Sequence, residues 1–167
     1  AIYETQFKPT LTSADAKPVD VKAALRTIAE LRITVAEKDL FKFLERDTLD
    51  PALRSAACET LAALSTKTAV EKLLDLSGAG DKAAAKALEK CTPLGAERLW
   101  ADLQPDADPF DYALYKIITK ICEVREVKPE KWFDTAKPKV RKEHLDKIEK
   151  LVHEAAKRWK EANDVAD

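Results

Sequence analysis

The chain has 167 residues, with no methionine and only three glycines. So few glycines leave little room for the loops that cradle phosphates. Gly78-Ala79-Gly80 has neither a third glycine nor the Lys-Ser/Thr pair such a loop needs, and it reads as a helix C-cap and turn. No stretch approaches the roughly 20 apolar residues of a membrane span, and no secretory signal pattern is visible. Cys58, Cys91 and Cys122 stand too far apart for a zinc site or a redox CxxC pair. An odd number of unpaired cysteines suits a reducing, intracellular compartment. Their near-regular spacing points to small buried hydrophobes rather than reactive thiols. His144 and His153 lie nine residues apart, whereas two ligands on one helix face stand three or four apart. No second histidine follows His153-Glu154 at zinc-protease spacing, and no serine sits in a Gly-x-Ser-x-Gly elbow. The expectation is a chain with no enzyme activity, no cofactor and no metal.

What is present is helix-forming residues. Ala, Leu, Lys and Glu dominate, with 46% hydrophobic and 35% charged residues, which suits a folded globular chain. The formal net charge is -1 but is unevenly spread. Residues 137–160 carry nine Lys/Arg against four Asp/Glu, residues 161–167 carry three acids and no base, and residues 18–136 are net acidic by three charges. The basic stretch reads as a solvated helix face, and the acidic body opposes nucleic-acid binding. The chain begins at Ala1 without methionine, which fits initiator removal, a tag scar or cleavage of a targeting peptide; a transit peptide would make the mature protein organellar.

Residues 1–17 are read as an extended N-terminal arm. Tyr3, Phe7 and Leu11 recur every four residues, but Pro9 interrupts them. Such an arm is either a frayed terminus or a strap lying on a partner. From Pro18 the apolar pattern predicts helices over 19–31, 35–46, 50–64, 67–77, 81–91, 94–103 and 107–123, a short one over 129–135 and a long one over 138–163. Short connections make neighbouring helices antiparallel. Pro18 and Pro51 fit first helical turns, and Asp50 fits an N-cap.

The pattern repeats. PVDVKAALRTIAEL from Pro18 and PALRSAACETLAAL from Pro51 align at an offset of 33 residues, matching Ala23-Ala24 with Ala56-Ala57, Ile28 with Leu61 and Leu31 with Leu64. Weaker copies are DKAAAKALEKC from Asp81 and DPFDYALYKIITKI from Asp108. This is the period of helix-pair repeats, in which small residues let helices approach and large ones fill the gaps. The expected fold is therefore all-α: a short α-solenoid of about three to four antiparallel helix pairs over residues 18–136. The seam Leu145, Ile148, Val152, Ala155, Trp159, Ala162 marks residues 137–167 as an amphipathic helix with an acidic tail, which caps the stack or packs on another protein.

Asp50-Pro51, Leu53-Arg54, Ala56-Ala57, Leu61 and Leu64 resemble the second helix of a HEAT-type repeat, although Val21, Ala84 and Tyr112 stand where the other copies would need the arginine. DPFDYALYKIITKICEVREVKPEKWF, from Asp108 to Phe133, resembles a pentatricopeptide or tetratricopeptide unit. Both resemblances imply a non-catalytic protein-binding or structural subunit held in a larger assembly. In size (18.6 kDa), helix pairing and a start without methionine, the chain also resembles the small helical-repeat accessory subunit of euglenozoan mitochondrial ATP synthase. That resemblance implies a place outside the catalytic head in the mitochondrial matrix, without a catalytic role. The alternatives are a pentatricopeptide-like RNA-binding protein, which reads one base per repeat, and a HEAT-like cytoplasmic adaptor. Interface candidates are the arm anchors Tyr3 and Phe7, and Trp132 with Phe133 in a proline-flanked segment, since aromatics dominate binding hot spots.

Overall fold

A computed structural model describes residues 2–165 and is helical throughout, with ten α-helices and no strand among them. The chain divides between Lys90 and Cys91 into two compact units. This boundary differs from the expected division into arm, stack and C-terminal helix.

The first unit begins with a π-helical turn, Tyr3–Phe7, that runs into α1, Lys8–Thr12. The expected extended arm is thus helical. Pro9 falls in the first turn of α1, directly after the π-helical turn, and does not interrupt the helical run. Then follow α2 (Pro18–Glu30), a 3₁₀ turn (Thr34–Ala36), α3 (Glu37–Leu44), α4 (Pro51–Leu64), α5 (Lys67–Gly78) and α6 (Lys82–Leu88). Caps explain the boundaries. Asp50 accepts from the amides of Ala52 and Leu53, Thr66 from Ala69, and Asp81 from Ala83 and Ala84. α5 ends in a Schellman motif: the amide of Asp81 donates to Leu76 O and that of Gly80 to Ser77 O, with Gly80 at φ +93°.

Within this unit α2 packs along α4 and α4 along α6, while α5 packs on both α4 and α6. Ala24 and Ala57 are both buried, as are Leu25 and Cys58, and Ile28 and Leu61. Three pairs of positions 33 residues apart are thus buried alike. A fourth pair differs: Leu64 is fully buried, but Leu31 lies beyond the end of α2 and is 62% exposed. Close approach of α2 and α4 is marked by the buried Thr60, whose hydroxyl lies 2.8 Å from Ala56 O on its own helix and 3.3 Å from Leu25 O on the neighbour.

The second unit holds α7 (Pro93–Trp100), α8 (Tyr112–Ile121), α9 (Glu130–Thr135) and α10 (Pro138–Ala162). α8 starts five residues later than the pattern predicts, because Asp111, not Asp108, caps it by accepting from Leu114 N. α10 packs mainly along α7. It buries Leu145, Ile148, Val152, Ala155 and Ala156, so the predicted seam is a core seam over most of its length. No helix among the described residues is long and apolar enough to cross a membrane.

Candidate functional site

The arm anchors are core groups. Tyr3 is 2% exposed, and its hydroxyl donates to Asp39 Oδ2 on α3 at 2.6 Å. Burial, then the Asp39 carboxylate, pushes the phenol well above its ordinary pKa. Leu11 is also buried, and its carbonyl accepts from Arg46 Nη2 at 2.6 Å. Phe7 stays half-buried. Tyr3 is therefore corrected from a partner contact to a tether holding the N-terminal helices on their own unit; the apolar anchors in the arm signalled burial, not export.

Trp132 and Phe133 separate in the same way. Phe133 is 1% exposed and stacks on Phe110, with ring centroids 4.4 Å apart, so it too belongs to the core. Trp132 is half-buried at the edge of this cluster, its ring 5.1 Å from that of His144, with Lys128 Nζ 5.6 Å from its centroid. Tyr115 lies beneath, fully buried. Its hydroxyl accepts from the Lys128 amide at 3.2 Å and meets His144 Nε2 at 2.9 Å, which suits a neutral imidazole accepting the phenolic proton. Burial, then Lys128 and Lys147, lowers the His144 pKa. His153 is shifted the other way. Its Nδ1 lies 2.6 Å from Glu97 Oε2 on α7 and its Nε2 3.5 Å from Glu149, and the Glu97 bond raises its pKa.

These histidines brace helices rather than converge. No group of metal-ligating side chains occurs among the described residues. The three cysteines are buried. Burial lifts the Cys58 thiol to about 11 and the Cys122 thiol to about 12, far from thiolate chemistry at neutral pH.

Each unit carries a groove among its described residues. A groove of about 430 Å³ lies over α2 and α4, with Ala29, Ala56, Thr60 and Ala63 among its lining residues. Its charges are largely spent on each other: Arg26 pairs with Glu30 at 2.7 Å and Lys90 with Glu59 at 2.6 Å. A second groove, of about 490 Å³, lies between the segment Cys122–Glu126 and α10. Leu151, 37% exposed, joins Val124 and Cys122 as its apolar part, and Arg125, Lys147, Lys150 and Arg158 face Glu123, Glu126 and Glu154 around them. Sequence reasoning missed this groove. The signal was there in the spacing of Lys147, Lys150, Leu151, Glu154 and Arg158, a second stripe on α10 offset from the core seam. Comparison with known proteins finds no matching family model, curated protein or solved structure.

Proposed function

We propose that the chain is a non-catalytic, protein-binding subunit of a larger assembly. The observation that carries this reading is the packing of the first unit, where α2, α4 and α6 lie side by side and leave an open groove along α2 and α4. We read this as a short α-solenoid of helix pairs, an architecture whose use is its extended faces. The narrower form of the reading is an accessory subunit outside the catalytic head of a mitochondrial ATP synthase, in the matrix; size and helix pairing support it. The acidic balance of residues 18–136 weighs against RNA binding.

The test is to isolate the native assembly from cells with and without the chain. A non-catalytic subunit leaves turnover per intact assembly unchanged while the yield of assembly falls. Loss of turnover in assemblies of normal yield would overturn the reading. ATPase catalytic chains among the co-purifying proteins would support the narrower form, and any other set of partners would reject it.

A further inference from the structure

We propose that the groove between Cys122–Glu126 and α10 receives an acidic amphipathic helix of the partner protein. This inference rests on the protein-binding reading above and names the chemistry of one contact.

Lys147, Lys150, Leu151, Glu154 and Arg158 form one stripe over three turns of α10, about 17 Å of helix. That length matches a three-turn helix laid alongside. The stripe has an apolar centre, since Leu151 lies between Lys147 and Arg158 and shares the groove with Val124 and Cys122. A bulky apolar residue of the visitor would cover these, and its flanking side chains would meet the rim.

Charge selects which helix fits. Lys147 is engaged with Glu126 at 3.3 Å. That leaves Arg125, Lys150 and Arg158 against Glu123 and Glu154 around the groove. Lys128 adds a further cation in the adjoining hollow, which shares Glu126 and Lys147 with the main groove. The unspent balance is positive, in line with the +5 of residues 137–160. The α2–α4 groove spends four of its five charges in two ion pairs, leaving Lys22 alone on its rim. An acidic helix gains attraction along the rim, and a basic one meets like charge.

The experiment uses the purified full chain and two fluorescent helical peptides with identical leucine spacing, one flanked by glutamates and one by lysines, read by anisotropy at low and high salt. The expected result is at least tenfold tighter binding of the acidic peptide, weakened by salt, and at least tenfold loss in the double variant Lys150→Glu, Arg158→Glu. Both positions are exposed, and a circular dichroism melt checks that the variant keeps its fold. Leu151→Asp should weaken the acidic peptide as well. Equal affinity for the two peptides, no binding of either, or a folded double variant that binds like wild type would overturn the assignment. A native protein found as a lone monomer would sink the protein-binding reading whatever the peptides do. An assembled native protein with no peptide preference would sink the groove alone.

Discussion

Arg54 is the side chain whose loss should cost the first unit most among its polar groups. From the first turn of α4 its Nε donates to Asp81 Oδ2 at 2.7 Å, its Nη2 reaches the same oxygen, and its Nη1 donates to Leu44 O at 2.9 Å. It therefore joins the end of α3, the start of α4 and the N-cap of α6. Arg54→Ala removes these contacts and leaves the Asp81 carboxylate, 11% exposed, without its counter-ion. Breaking a fully buried pair costs about 3–5 kcal/mol. Arg54 is 29% exposed, and Asp81 keeps the amides of Ala83 and Ala84, so the expected loss is about 2 kcal/mol. Urea unfolding followed by circular dichroism reads it. A pH series adds a sign. Burial alone would raise the Asp81 pKa, but Arg54 and the two amides override it and hold it below 3.8. The contribution is then complete above the unfolded carboxyl pKa and disappears as pH falls through the lower folded value. Wild type and variant should differ most near neutral pH and converge in strong acid. A loss under about 0.5 kcal/mol, smaller than an ordinary hydrogen bond, would refute the account of this junction.

Deleting residues 1–17 should destabilise the first unit, because Tyr3 and Leu11 are core residues; an unchanged melting temperature would restore the strap reading. Leu61→Ala, at a fully buried position of α4, should cost about 2–5 kcal/mol in denaturant unfolding. Tyr115→Phe should cost about 1–2 kcal/mol by losing the His144 and Lys128 contacts, and the His144 ring titration followed by NMR should move. The two histidines should titrate in opposite directions from 6.5 by NMR. The His144 contribution to stability is present above 6.5 and lost as pH falls towards its lowered folded pKa, whereas that of His153 is present below 6.5 and lost as pH rises through its raised one. Glu123→Gly, at φ +53° just past α8, should stabilise by up to about 1 kcal/mol.

Helix positions were legible because their signals are local. Pro18 and Pro51 each open a first turn and Asp50 caps α4, all from signals within a few residues. The core face of α10 was legible for the same reason, as a stripe along one helix. The arm was not, because Pro9 and the four-residue spacing of Tyr3, Phe7 and Leu11 leave helix start and interruption equally open. Only docking on Asp39 and Arg46 decides between them. Tyr3 and Phe133 were misplaced because an aromatic in a polar stretch looks the same whether it anchors a partner or its own core. The groove on α10 needs Cys122–Glu126 brought beside Lys147–Arg158, a pairing across some 25 residues that periodicity does not encode.

The central claim, that this chain works as a fixed part of a larger assembly, is tested most directly by the mass of the native species that carries it, measured after mild capture at physiological salt. The account predicts one species far above 18.6 kDa, with a constant number of copies of the chain and the same partners in each preparation. A single species at the mass of the free chain, stable across protein concentrations, would contradict it.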